Sequence, residues 1–208
     1  MSLNPILRPN YDKQYACGTN NAIVDVCGFG KTSQDCRLNS MGSDMSATGT
    51  AFRCASINPG SFDGDASWKD NRSKTLTTDC GTTGLLTGLC LSGENQDCNI
   101  DNIAQHTVGM CRPVVDNAFR TDGQPSWDNV IYNDPRFGVK NVAGTGAVSC
   151  KAGYSGTAVC NGAGDFDDCH KYGDVPGSVA QSSYTFMKCG RLRDPQETIV
   201  TSLATNIQ

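Results

Sequence analysis

Apolar residues in this chain come in short runs, and turn-forming residues separate the runs. Residues 21–27 (NAIVDVC) and 145–150 (TGAVSC) are typical of short strands. The 208 residues include 23 glycines together with many Ser, Thr and Asn, a composition that favours tight turns. No long helical pattern is present. The sequence therefore predicts a small all-β fold.

Twelve cysteines fall into three quartets with nearly equal internal spacing, which predicts a triplicated module. The gaps within a quartet are 9, 8 and 17 residues in the first, 9, 7 and 12 in the second, and 9, 8 and 19 in the third. The quartets are Cys17, Cys27, Cys36 and Cys54; Cys80, Cys90, Cys98 and Cys111; and Cys150, Cys160, Cys169 and Cys189. We refer to the three repeats as copies 1, 2 and 3.

The cysteines are expected to form structural disulfides, two within each quartet and none between quartets, with three pairings open for each quartet. Zinc is the competing use, but the chain has no C-x-x-C pair and only two histidines, His106 and His170. The turn-rich gap between the first two cysteines of each quartet predicts a hairpin or compact loop held by them. Disulfides imply an oxidising environment.

The repeat predicts three tandem cysteine-stapled β modules, preceded by an extended arm and followed by a short helix. The predicted boundaries are 1–16 for the arm, 17–73, 74–140 and 141–193 for the modules, and 194–208 for the helical tail. Units of about 60 residues bury little apolar surface, so each is expected to have a small core of its own stapled by disulfides. Three such units in a row would form a rigid strut.

Both tryptophans follow a fourth cysteine in one motif, F-D-G-x-x-S-W at residues 62–68 and F-x-x-D-G-x-x-S-W at residues 119–127. The third copy lacks the motif, as an atypical terminal repeat does. Trp68 and Trp127 are expected to be module anchors in the same place of two copies. Their replacement by Ala would cost about 3 to 5 kcal/mol if the rings are buried. A near-neutral effect would make them surface contact residues instead.

The two ends of the chain carry apolar side chains that the repeat does not need. In the arm, prolines interrupt the apolar residues Leu3, Ile6 and Leu7. Asp194-Pro195-Gln196-Glu197 has the order of a helix N-cap and predicts a short helix. Its apolar residues are Ile199, Val200, Leu203 and Ile207. We expect both groups to bind a partner, and packing of the tails on their own modules is the alternative.

No catalytic, cofactor-binding or metal-binding pattern stands out, so the sequence predicts a protein that is not an enzyme and that needs no cofactor. Gly30-Lys31-Thr32 lacks the first glycine of a phosphate-binding loop, and no G-x-S-x-G elbow occurs. The acidic turns at 63–65 and 165–168 are not followed by the glycine and distal Glu of an EF-hand.

Charge and hydropathy narrow the class of partner. The net charge is −4 and the basic residues are scattered, which argues against a nucleic-acid-binding face. No apolar stretch is long enough for a membrane span. The expected partners are therefore other proteins.

Residues 150–160 (CKAGYSGTAVC) resemble the C-x-x-G-Y-x-G-x-x-x-C segment of sushi-type modules. The order of the cysteine gaps differs from that family, so its disulfide pattern is not carried over. As a whole, the chain is similar in style to minor capsid or cement proteins of large icosahedral DNA viruses. That resemblance implies a structural virion protein that bridges capsid subunits.

The first ten residues contain two prolines and no apolar run of the kind found in a signal peptide. The expected location is a virion that is oxidised without passing through the secretory route. The alternative is a mature fragment of a secreted or surface-exposed adhesion module that recognises glycan or protein.

Overall fold

A computed structural model of the chain describes residues 14–27, 51–69, 77–90, 108–132, 147–161, 168–171, 173, 175–179 and 185–194. Within these residues the chain is mostly β-strand and turn, in three small sheets with four disulfides. The predicted all-β, disulfide-rich fold is therefore confirmed.

The strands are β1 (Gln14–Ala16), β2 (Asn21–Cys27), β3 (Ala51–Ser56), β4 (Ser67–Trp68), β5 (Thr77–Asp79), β6 (Gly84–Cys90), β7 (Val108–Pro113), β8 (Val130–Tyr132), β9 (Ala147–Cys150), β10 (Ser155–Asn161) and β11 (Thr185–Gly190). One α-helix, α1 (Asp168–Lys171), and two 3-10 turns, Pro59–Ser61 and Thr121–Gly123, complete the described elements. The strand predicted at 21–27 coincides with β2, and the segment predicted at 145–150 contains β9.

Each copy contributes the same set of three strands. An entry strand lies just before the first cysteine (β1, β5 or β9), and an antiparallel pair follows it (β2 with β3, β6 with β7, or β10 with β11). All three antiparallel pairs have a register shift at the same place in the repeat. A bulge that recurs at one position strengthens the local twist in each copy alike.

The entry strand of each copy pairs with the next copy, and the third copy returns to the first. β1 pairs with β6, β5 with β10, and β9 with β2, all antiparallel. The register is identical in the three cases, because the residue before the first cysteine always lies opposite the eighth residue after the first cysteine of the partner copy. The described strands therefore have an approximate threefold, cyclic arrangement and not that of a linear strut.

The hairpin expected between the first two cysteines of each quartet is wrong. A tight turn does follow the first cysteine, where Gly18 and Gly81 have φ of 85° and 72°, a conformation that glycine adopts at little cost. The strand before the turn, however, pairs with the neighbouring copy and not with the strand after the turn. In copy 1, for example, the Cys17 N–H donates to the Thr87 carbonyl at 2.7 Å.

The described disulfides join cysteines of the same quartet. The first cysteine is bonded to the fourth in every copy: Cys17 to Cys54, Cys80 to Cys111, and Cys150 to Cys189. In copy 3 the second cysteine is also bonded to the third, Cys160 to Cys169. These eight cysteines are disulfide-bonded and not zinc ligands. Cys36, Cys98 and the side chains of Cys27 and Cys90 lie outside the described residues.

One central core is shared by all three copies. It contains the three first-to-fourth disulfides and the buried side chains of Ile23, Val26, Phe52, Leu86, Leu89, Val148, Val159 and Met187. The largest part of the core is therefore common to the three copies, and copy 3 adds a small cluster of its own, with Cys160, Cys169, Val175, Val179 and Phe186. A three-stranded unit has too little apolar surface to bury alone, and cyclic pairing lets three units bury it against one another.

Several predictions about the ends of the chain and the module limits fall outside the described residues. Of the arm at 1–16, residues 14–16 form β1. The boundaries at 73/74 and 140/141 are not described, and of the tail only Asp194 is described. In the described part of the chain, no helix is long and apolar enough to cross a membrane.

The sequence separation that a disulfide spans should determine how much that disulfide stabilises the fold. The disulfide between Cys150 and Cys189 spans 39 residues of sequence, whereas that between Cys160 and Cys169 spans 9. Loop-closure entropy alone makes the longer one more stabilising by about 1.3 kcal/mol, within a usual total of about 2 to 5 kcal/mol. We expect Cys150→Ala/Cys189→Ala to lose more unfolding free energy in urea than Cys160→Ala/Cys169→Ala. An equal or reversed order would contradict the central role of the first-to-fourth bonds.

Candidate functional site

The outer faces of the three sheets carry equivalent rows of side chains that differ in chemistry. Along each strand, residues that alternate with those of the central core point away from that core, although many of them, such as Asp25, Ser149 and Ala158, are buried. The equivalent outward positions are the residue before the fourth cysteine, its partner on the adjacent strand, and the last entry-strand residue before the first cysteine. The resulting outer rows are Arg53, Asp25 and Ser149 (row 1), Met110, Gly88 and Ala16 (row 2), and Lys188, Ala158 and Asp79 (row 3).

Row 1 contains a buried ion pair. The Arg53 Nε donates to the Asp25 carboxylate, and the two side chains are only 11% and 3% exposed. Ser149 lies opposite Asp25 and is buried, and its hydroxyl has no hydrogen-bond partner among the described residues. Removing one member of a buried ion pair leaves the other charge desolvated and uncompensated. Row 1 is therefore a fixed, tightly specified polar site.

Row 3 contains an ion pair nearer the surface. The Lys188 Nζ lies 2.7 Å from the Asp79 carboxylate, with side-chain exposures of 19% and 40%. The pair reaches across Ala158, which stands between the two residues in the sheet. The same ammonium group lies 5.8 Å from the centre of the Trp127 ring, within the range of a cation–π contact. Row 3 therefore presents charge and an aromatic ring together.

Row 2 has no charged residue. Its Met110 lies opposite Trp68 on β4, while Gly88 and Ala16 offer almost no side chain. A small, apolar row leaves the Trp68 ring as the largest feature of this face.

The two tryptophans occupy equivalent places, as the motif predicts. Ser67 lies opposite Cys111, and Ser126 forms a bridge with Cys189. Both indole rings are half-buried. The cost of about 3 to 5 kcal/mol applies to a fully buried ring, so a smaller cost is expected here. Trp127 also packs against the cluster that contains Cys160, Cys169 and Phe186, and both tryptophans keep some exposed surface.

Residues of copies 2 and 3 form an aromatic cluster that the sequence pattern did not indicate. The Phe186 ring meets the Tyr132 ring edge-on at 6.0 Å and the His170 ring at 4.6 Å. Burial, with a smaller effect from Asp128, raises the pKa of Tyr132 above its usual value, so its hydroxyl stays protonated. His170 in α1 is thus part of a packed cluster beside the disulfide of Cys160. No periodic signal could have located it, because its three rings come from separate segments.

The charged residues near the 3-10 turn Thr121–Gly123 are engaged with one another. The Arg120 Nε donates to the Asp122 carboxylate at 2.8 Å, and this hydrogen bond is the main reason that the pKa of Asp122 lies below its usual value. The Arg193 Nε donates to the Phe119 carbonyl at 3.1 Å.

The structure does not gather the remaining predicted residues into one site. Leu3, Ile6 and Leu7, with Ile199, Val200, Leu203 and Ile207, lie outside the described residues. Asp63 and Asp65 are exposed. Over the described ranges, no group of three or more His, Cys, Asp and Glu residues could hold a metal ion. The outer rows are the arrangement that sequence reasoning missed, although a lone Asp25 inside an apolar run was a usable signal.

The row 1 ion pair gives a test with an internal control. Asp25→Asn should lower the unfolding free energy by about 3 to 5 kcal/mol, because Arg53 keeps a buried charge. Asp25→Ala/Arg53→Met, which copies residues that rows 2 and 3 already use, should recover most of that loss. Asp79→Asn in the half-exposed pair should cost at most about 1 kcal/mol. Denaturant unfolding measures all three, and a double variant no more stable than Asp25→Asn would contradict the account.

Comparison of the chain with protein-family models, with curated proteins and with solved structures finds no match. The likenesses to sushi-type modules and to capsid proteins therefore stay expectations from the sequence.

Proposed function

We propose that the protein is a structural protein of a virion that bridges neighbouring capsid subunits. The shared core supports this function. Three buried disulfides hold the strands of all copies around one centre, and such bonds limit the freedom of the unfolded chain. The outer faces consequently keep fixed positions relative to one another, as a bridging protein requires.

The observation that carries the proposal is the pair of partly buried tryptophans, each with some exposed surface, at equivalent positions of two sheets. Trp68 stands beside Met110 in row 2, and Trp127 stands beside Lys188 in row 3. Tryptophan is enriched among the residues that dominate protein–protein contacts. Two equivalent contacts on one rigid body add through multivalency, so individually weak contacts suffice for stable incorporation.

The N-terminal arm is proposed as a further contact. Its last residues, 14–16, are held in the sheet by pairing with β6. The arm is therefore tethered to the sheet at its last residues. Leu3, Ile6 and Leu7 would then fill apolar pockets of a neighbouring subunit.

A secreted or surface-exposed module that binds glycan or protein is the second candidate. The four disulfides favour it as much as they favour a virion, because both belong to oxidising surroundings. Row 3, where an aromatic ring lies beside a lysine and an aspartate, would be its binding face. Recovery of the natural protein from culture medium and not from purified particles would favour this candidate.

The arm gives the sharpest test of bridging. The full chain with Leu3→Ser/Ile6→Ser/Leu7→Ser should fold and oxidise normally, yet its amount in purified virions should fall about tenfold or more, the effect of losing about 1.4 kcal/mol of contact energy. The readouts are quantitative mass spectrometry of particles and a free-thiol assay.

A matched control changes polar residues of the same arm, Asn4→Ser/Arg8→Gln/Asn10→Ser, and should leave incorporation unchanged. Normal incorporation of the apolar variant would contradict the role of the arm. Absence of the unmodified protein from virions would contradict the proposed function as a whole.

A further inference from the structure

One sheet edge in the cyclic arrangement differs from its two equivalents. On the side away from its partner strand, each of β7 and β11 is paired with a segment from the preceding copy. We call these the closing segments: residues 61–69 of copy 1 lie along β7, and residues 118–127 of copy 2 lie along β11. β3, the equivalent strand of copy 1, is the last strand of its sheet. No segment among the described ranges pairs with its outer edge.

The two closing segments make the same hydrogen bonds near the fourth cysteine. Ser126 and Cys189 exchange backbone hydrogen bonds, with N···O distances of 3.0 Å and 3.1 Å. Ser67 stands in the same relation to Cys111, as its strand partner. The outward-facing backbone of the fourth cysteine is therefore the docking point in both copies.

The two segments also begin in the same way. Phe62 forms a bridge with Val114, and Phe119 forms a bridge with Leu192. Each phenylalanine is the eighth residue after the fourth cysteine of its own copy. Each bridge partner is the third residue after the fourth cysteine of the following copy. Their side chains share one apolar cluster, which we call the end core; it contains Ala22, Ile57, Phe62, Leu85, Val114, Ala118 and Phe119, with Leu192 packed against it.

The order of the copies indicates what belongs on β3. Closing segments run from copy 1 to copy 2 and from copy 2 to copy 3, which is the direction of the entry strands. The entry strands complete the circle, because β9 of copy 3 pairs with β2 of copy 1. A third closing segment would therefore come from copy 3, after Cys189, and would lie along β3.

We propose that residues 196–204 of this chain are that third closing segment and pair in extended form with the outer edge of β3. Ser202 and Leu203 are the thirteenth and fourteenth residues after Cys189, the places that Ser67 and Trp68 hold after Cys54. Ser202 then lies opposite Cys54, and Leu203 lies beside Arg53 of row 1.

The described end of the chain lies close enough to reach this edge. Leu192 packs against the end core, which also contains Ile57, the residue directly after β3. The first closing segment makes its last backbone hydrogen bond at Lys69, fifteen residues after Cys54. Residue 204 is the equivalent after Cys189, and the chain continues to 208. Ala55, in the middle of β3, is fully buried, which agrees with a covered edge.

The side chains of this segment make its docking weaker than that of the other two. Glu197 stands where Phe62 and Phe119 stand, and Leu203 replaces a tryptophan. Backbone pairing is unaffected by these differences, because β-addition depends on main-chain hydrogen bonds. The apolar residues assigned from the sequence to an external partner, Ile199, Val200, Leu203 and Ile207, would instead belong to this contact. Paired in this way, residues 196–204 would be extended, in contrast to the helix predicted after Asp194.

Amide hydrogen exchange measured by NMR tests the assignment. In the full chain the Cys54 amide should exchange slowly, and in a chain that ends at Asp194 it should exchange about tenfold faster or more, because its acceptor is gone. The Cys189 amide, which donates to Ser126, should keep its rate in both chains. Full-length Ser202→Pro keeps the carbonyl that accepts from the Cys54 amide but loses the N–H that donates to the Cys54 carbonyl, so docking should weaken and the Cys54 amide should exchange faster. Asn206→Pro, beyond the paired residues, should leave the Cys54 rate unchanged.

Three results would overturn the proposal. A Cys54 amide with the same rate in the full and shortened chains would show that residues 195–208 do not cover β3. Helical chemical shifts for residues 196–204 would show that the tail is the helix predicted from its capping sequence. A concentration-dependent dimer that is lost on truncation would show that the tail docks on a second copy. None of these results bears on incorporation into virions, so the proposed function is tested separately.

Discussion

The bond between the first and fourth cysteine of each copy is the constraint on which the rest of the structure depends. It joins the cysteine that ends or directly follows an entry strand to the last strand of the same copy. Because all three bonds lie in the central core, they also set where the three copies meet. Cyclic pairing of the entry strands then follows with one register, and each copy completes a neighbour's sheet.

The same frame carries different chemistry at equivalent outward positions. Row 1 has a buried ion pair, row 2 is apolar, and row 3 has a half-exposed ion pair beside an indole ring. Row 1 is buried and serves the stability of the frame, so the residues available for contact with another molecule are the partly exposed ones of rows 2 and 3. These differences between equivalent positions are the physical basis for proposing a bridging protein, with the tryptophans and the arm as its contacts.

The local structure was readable from the sequence, and the long-range pairing was not. The short apolar run in residues 21–27 predicted β2, and the cysteine quartets indicated the repeat and its disulfide chemistry. Strand alternation does not say which edge a strand joins, so the pairing of β1 with β6 could not be inferred. The pairing of Asp25 with Arg53 depends on that same register. The small size of each unit suggested separate cores, whereas apolar residues of all three copies pack together in one shared core.

The central claim is that the three copies form one cooperative unit around a shared core. Differential scanning calorimetry of the oxidised full chain tests this claim most directly. The account predicts a single transition whose calorimetric enthalpy equals its van't Hoff enthalpy, because no copy can lose its strands without exposing the core of the others. Two or three separate transitions, or a calorimetric enthalpy well above the van't Hoff value, would show that the copies unfold as independent units and would contradict the account.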